Sequence, residues 1–179
     1  MGHSVHSYPL LELLYLEAEI NTDLYDGIVL TSQFAAYRLT EASKPIFAVG
    51  DSLKKILPPN ALIFETVDAL KKSLPKNKNF LYLKGKDVSD NLDEFFCTHQ
   101  IVYQMIETEH EPIDLCEIES VVLFSVRTAE IFEKKFSNNF EHLKIFTLSD
   151  KIANKLQRKY KEIFISSSPN LESFLDLFK

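Results

Sequence analysis

The chain has 179 residues, room for one ordinary domain or two small ones, and its 45% apolar and 26% charged residues are those of a globular protein. Its net charge of −6 excludes the dense basic surface that sequence-independent nucleic-acid binding requires. Two cysteines, Cys97 and Cys116, lie outside any CxxC or Cys/His cluster, which argues against a disulfide framework or zinc site and fits a reducing cytoplasm, and no apolar run approaches the roughly 18 residues of a membrane span.

Taken in chain order, short runs dense in Val, Ile, Phe and Leu predict strands at 3–9, 27–31, 46–49, 62–65, 80–83, 100–106, 121–124, 144–148 and 162–165. They show little polar–apolar alternation, the pattern of parallel strands covered on both faces. Between them lie helical segments with start signals. Thr31-Ser32 precedes a helix over 33–42, and Asp51 is placed to cap one over 52–57 that stops at Pro58-Pro59. Thr66 is placed to cap 67–74, ended by Pro75, and Ser89 or Asp87 to open a helix through Phe96. Asp150 is placed to cap 151–160, and Ser168-Pro169 opens 170–178 with Pro at a favoured first position.

The series repeats itself. Val29-Leu30-Thr31-Ser32 with Ala36 echoes Val122-Leu123-Phe124-Ser125 with Ala129. Phe47-Ala48-Val49-Gly50-Asp51 echoes Phe146-Thr147-Leu148-Ser149-Asp150, and Ile63-Phe64 echoes Ile163-Phe164. Any two α/β units share apolar strands and amphipathic helices, yet matching blocks in the same order favour duplication. Right-handed β-α-β crossovers then give two doubly wound parallel sheets, with a ligand expected at strand carboxyl ends in the crevice between the domains. The extended runs 12–20 and 99–108 suit a pair of strands crossing from one domain to the other. No GxGxxG or Walker loop supports dinucleotide or nucleotide chemistry.

At several positions the chain resembles uroporphyrinogen-III synthase. The family's Gly-x-x-Val-x-x-x-Pro-Leu strand appears as Gly2-His3-Ser4-Val5-His6-Ser7-Tyr8-Pro9-Leu10, and its Asp-to-Thr-Ser strand as Asp26-Gly27-Ile28-Val29-Leu30-Thr31-Ser32. The Val-Gly turn is Val49-Gly50, the strand ending in Gly is Leu81-Tyr82-Leu83-Lys84-Gly85, and the Val-Tyr strand is Ile101-Val102-Tyr103-Gln104. Phe124-Ser125 and Ser168-Pro169-Asn170 complete the series in the family's order. The resemblance implies two flavodoxin-like α/β domains joined by a two-stranded connection. One is continuous, residues 14–107, and the other is assembled from 1–13 plus 108–179. It implies a cytoplasmic monomer that binds neither nucleic acid nor membrane. It also implies a lyase of tetrapyrrole (haem) biosynthesis that uses no metal or organic cofactor and cyclises hydroxymethylbilane with loss of water and inversion of the last pyrrole ring.

The chain departs from the family's pattern. The strand and helix that precede the Gly-x-x-Val element have no counterpart before Gly2, so the run 3–9 is expected to lack its sheet neighbour. The turn that carries Gly and paired Thr residues in the family reads Leu148-Ser149-Asp150-Lys151-Ile152, and Leu53 stands where a Thr follows the first Val-Gly turn. These departures support an alternative: a catalytically impaired module that keeps the cleft for an anionic ligand.

The chemistry asks for proximity and acid assistance to a departing hydroxyl. Tyr103 is the catalytic candidate; the competing reading is a strand tyrosine that only packs. Thr31, Ser32 and Ser125 are either carboxylate ligands or helix caps, and Ser149 occupies the equivalent second turn. Gly50 and Gly85 either admit a ligand close to backbone or serve tight turns. Lys84, Lys86 and Arg127 are either partners of substrate carboxylates or solvated charges. The five histidines show no metal-ligand spacing.

Overall fold

The computed structural model describes residues 4–39, 43–88, 92, 97–111, 113–136, 140–168 and 170–178. The chain forms two compact units, residues 13–106 and residues 1–12 with 107–179. It passes from one to the other within β1 (Leu11–Tyr15) and at the end of β6 (Cys97–Glu107). No helix among the described residues is long and apolar enough to cross a membrane.

The continuous unit is built on β2 (Gly27–Leu30), β3 (Ile46–Val49), β4 (Leu62–Phe64), β5 (Phe80–Gly85) and β6, in the order β6-β5-β2-β3-β4, with β1 outside β6. All four pairings from β6 to β4 are parallel. The chain first winds outward from β2 to β4, then returns to the other side of β2, so strand order reverses between β2 and β5. Alternation along β2 sends Ile28 and Leu30 to one face and Val29 to the other. Ile28 and Leu30 pack with Ala35, Ala36, Leu53, Leu83 and Val102, and Val29 with Phe47, Leu70, Leu74 and Tyr82. The first cluster is covered by α1 (Gln33–Ala36) and a 3₁₀ turn at Asp51–Lys55; the second by α2 (Val67–Ser73). A strand buried on both faces has no room for alternating polar residues, which is why β2 is apolar throughout.

Beside β6, Leu16 N donates to Val102 O and Thr108 N to Leu10 O. Residue numbers rise on one strand as they fall on the other, so β1 and β6 run antiparallel.

The second unit carries β7 (Ser120–Leu123), β8 (Lys144–Thr147) and β9 (Glu162–Ile165), parallel and in sequential order. One face packs Leu123 and Ile145 against α3 (Val126–Lys135) and α4 (Asp150–Ala153). On the other face Phe146 stacks between Phe164 and Phe178, the latter from the 3₁₀ turn Asp176–Phe178 that follows α5 (Leu171–Leu175). Both units therefore have the parallel α/β character expected. The reversal of strand order belongs to the six-stranded sheet; among the described residues the three-stranded one winds in a single direction.

Several boundaries differ from expectation. Residues 4–9 form no strand: Val5 is 86% exposed, and this stretch is tied down instead by Tyr8, whose hydroxyl donates to Glu111 O at 2.5 Å, and by buried Leu10. Helix 33–42 shortens to α1 and a trailing turn, with 40–42 outside the described residues, as is most of the segment 89–96 where a helix was expected. Asp51 does not cap: Gly50 is the N-cap, and Asp51 pairs with Lys54 at 2.7 Å. Likewise Ser149, not Asp150, is the N-cap of α4, which stops at Ala153. Beyond it the chain turns back because Arg158 and Tyr160 bond to Glu133 on α3. Asn170 caps α5, accepting from Ser173 N at 2.9 Å.

Candidate functional site

In parallel α/β sheets, ligands bind beyond the strand carboxyl ends where strand order reverses. Here that point is the end of β2 beside the end of β5, and it holds Ser32 and Gly85. Ser32 has extended backbone (φ −145°) and caps α1, its Oγ accepting from Phe34 N at 3.2 Å. The same Oγ accepts from the Tyr103 phenol at 3.0 Å. With both lone pairs engaged, the hydroxyl's own proton is the one left to donate.

Tyr103 reaches Ser32 through an irregularity in β6. Lys84 pairs with Ile101 but Gly85 pairs with Tyr103, so Val102 is an extra residue on β6. Such bulges redirect side chains. The shift lays the Tyr103 ring across Gly85, where a Cβ would fall 2.6 Å from Cζ and 2.8 Å from the phenol oxygen. Gly85 is thus required by a side chain of this chain: the glycine makes room for a tyrosine. Phe34 closes the ring's other side edge-on at 5.6 Å between centroids, and Lys86 N donates to Tyr103 O at 2.9 Å. The ring is 8% exposed, so its position is set by packing.

Tyr103, Ser32, Gly85 and the Lys86 backbone therefore come together in one unit. Thr31 does not join them. It follows β2's alternation to the opposite face, where Oγ1 shares a 2.7 Å hydrogen bond with the phenol of fully buried Tyr82. Lys84 Nζ lies 5.8 Å from the centre of that same ring. Gly50 has φ +103°, which favours glycine, and a Cβ there would meet nothing nearer than Ser52 Oγ at 4.0 Å. Its N–H donates to Phe64 O at 2.9 Å, so the turn links β3 to β4.

In the other unit Ser125 is the positional counterpart of Ser32 and also caps, with φ −145°. Its proton is committed within the cap. Thr128 N donates to Ser125 Oγ at 3.1 Å, Ser125 N donates to Thr128 Oγ1 at 3.1 Å, and Thr128 Oγ1 donates to Ser125 O at 2.8 Å. The Ser125 proton then goes to Thr128 Oγ1, 3.0 Å away. Ser149 caps through backbone alone: its carbonyl receives Ile152 N at 3.1 Å and Ala153 N at 3.2 Å. The neighbouring hydroxyl of buried Thr147 also turns to that carbonyl, at 3.4 Å.

Sequence reasoning missed Phe34 as a wall of the site, the Val102 bulge, and Tyr82. The Ser125–Thr128 box was legible as Ser-x-x-Thr ahead of an apolar run.

The class of protein these features define is a two-unit parallel α/β protein with a hydroxyl pair at the strand-order reversal of its larger sheet. No family model and no curated protein sequence matches the chain. Among solved structures it is similar to uroporphyrinogen-III synthetase from Helicobacter pylori 26695. The TM-score is 0.70 with 22% identity, covering 94% of this chain and 89% of that one. The likeness to uroporphyrinogen III synthase from the extremely thermophilic bacterium Thermus thermophilus is slighter and adds no weight, with a TM-score of 0.40 and 17% identity over 86% of this chain and 76% of that one. The fold is therefore that of the uroporphyrinogen-III synthases.

Proposed function

We propose that the chain is a uroporphyrinogen-III synthase, a lyase that closes hydroxymethylbilane to the cyclic product with inverted last ring. The observation that carries the reading is the Tyr103–Ser32 hydrogen bond of 3.0 Å at the strand-order reversal, in a chain of that enzyme's fold. The substrate is a flexible linear tetrapyrrole with acetate and propionate arms, and its hydroxymethyl carbon must lose its oxygen. Pyrrole nitrogen lone-pair donation breaks that C–O bond, and the departing hydroxide leaves as water once it takes a proton. Ser32 is the group with a proton to offer, and Tyr103 stands behind it as donor to the same oxygen, so the two act as one relay. The proton released from the attacking pyrrole after ring closure restores the pair. Holding the chain's ends together supplies the remainder, since an oriented intramolecular attack needs little further help.

The test is an assay with hydroxymethylbilane in which uroporphyrinogen III is separated from the I isomer that forms without enzyme. Isomer III is expected, with Tyr103→Phe and Ser32→Ala each slowing its formation about 100-fold or more. Isomer I alone from the intact chain rejects catalysis. A second reading, an anion-binding module without turnover, is favoured by the Ser125 hydroxyl, whose proton is committed within its own cap. It predicts binding of the cyclic product with isomer I as the sole outcome of the assay.

A further inference from the structure

Of the chain's three arginines, Arg158 is committed to Glu133 and to the last carbonyls of α3. Arg38 is different. It lies half-buried in the turn that trails α1, where its Nη2 donates to Leu16 O at 3.2 Å and its guanidinium sits 5.7 Å from the centre of the Tyr15 ring. It has no carboxylate partner among the described residues, and its Nε is fully shielded without a hydrogen-bond acceptor. A guanidinium carries five donors, and among the described residues one of them is used. A shielded N–H without an acceptor is costly, and the lack of a carboxylate partner among the described residues is unusual in a chain whose acidic residues outnumber its basic ones, 26 to 20.

Its surroundings connect it to the site. Arg38 follows Phe34 by four residues, which places both on one side of the helix and its trailing turn. Phe34 packs on Tyr103. Across the β1–β6 ladder, the Leu16–Val102 and Leu10–Thr108 bonds fix a register in which Tyr15 stands opposite Tyr103. Those two are a pair without mutual hydrogen bonds, the kind whose side chains lie closest. Tyr103 and Phe34 thus pack together beside Ser32, and Arg38 over Tyr15 lies farther along the same face, with no carboxylate partner among the described residues.

We infer that Arg38, held over the Tyr15 ring, is the anchor for a carboxylate of the anionic ligand whose reacting end lies at Ser32 and Tyr103. Arginine suits a carboxylate because its planar fork gives two parallel hydrogen bonds. The inference rests on the polyanionic substrate proposed above and adds to it a residue that recognises the ligand by charge.

The test is a titration of the full chain with uroporphyrin III, and with coproporphyrin III, which has half its carboxylates, at low and high salt. Arg38→Gln is expected to weaken uroporphyrin binding about tenfold or more and to flatten its salt dependence. Arg38→Lys, which keeps the charge and loses the fork, is expected to weaken it a few-fold. Wild-type affinity and salt dependence in Arg38→Gln overturn this assignment while leaving the polyanion site standing. If Arg38→Gln fails to fold, Arg38→Lys carries the test, and undiminished binding by it overturns the assignment. An intact chain that binds neither porphyrin overturns the polyanion reading and Arg38's part in it together.

Discussion

Gly85→Ala is a one-methyl change with an outsized expected effect. The added Cβ would lie 2.6 Å from Cζ, 2.7 Å from Cε2 and 2.8 Å from the oxygen of Tyr103, all inside van der Waals contact. The ring has little room to retreat, being 8% exposed with Phe34 packed edge-on against it. Overpacking of this kind costs about 1–3 kcal/mol. If the ring swings aside, the phenol's bond to Ser32 goes too, at about 1 kcal/mol, for a total of about 2–4 kcal/mol. Urea denaturation of the wild type, Gly85→Ala, Tyr103→Ala and the double variant separates the terms. With the ring gone the methyl has space, so the double variant is expected to be more stable than the sum of the singles by about 1–3 kcal/mol. A Gly85→Ala protein as stable as wild type, or singles that add to within about 0.5 kcal/mol, would refute the claim that this glycine exists to seat Tyr103.

Three further outcomes follow from the second unit and the buried groups. Glu133→Ala removes the partner of Arg158 Nε (3.3 Å), of Gln157 N (3.2 Å) and of the Tyr160 hydroxyl, and is expected to cost about 2–4 kcal/mol in urea unfolding. Ser125→Ala breaks the capping box of α3 and is expected to lose about 1 kcal/mol without affecting uroporphyrin binding. Burial lifts the Cys97 thiol from 9.0 to about 11, and burial followed by the bond to Glu133 lifts Tyr160 well above its ordinary value. Both groups hold their protons more tightly when folded, so the unfolded chain ionises first. Stability is then full below the thiol's unfolded value and falls as pH rises through 9 toward 11. Urea midpoints across that range are expected to fall less steeply in Cys97→Ala and Tyr160→Phe than in wild type; an equal slope in both variants contradicts the assignment.

The strands were readable because burial on both faces leaves a local mark: runs such as Gly27–Leu30 and Ile46–Val49 are apolar without interruption. The caps Thr66 and Ser125 were readable because a hydroxyl before a helical run is a local signal as well. What lay beyond reach was set by distance. Asn170 competes with Ser168 for the same role, and in the structure it is Asn170 that caps. The short α4 depends on Arg158 and Tyr160 finding Glu133, more than twenty residues upstream. Gly85 and Tyr103 were each visible as candidates. Their dependence on one another comes from a bulge, and one extra residue in a strand leaves no trace in composition or period.

The same bulge bears on why two units of similar plan present different chemistry. Ser32 and Ser125 occupy the same place after the first strand of their units, with the same φ of −145°, and both accept from a backbone N–H of the helix they open. What differs is the second partner. Ser125 has Thr128 three residues on, close enough to take its proton and complete a closed local ring of bonds. At the matching position Ser32 has Ala35, which offers nothing. Its second bond comes from Tyr103, seventy-one positions along the chain, and that bond is donated to the serine. A serine that receives twice must look outward for its acceptor, whereas one that gives its proton within its own turn has none left for a ligand. Two differences, Ala35 against Thr128 three residues beyond the cap and the bond from Tyr103, thus separate a hydroxyl with a proton to give from one whose proton stays within its helix cap.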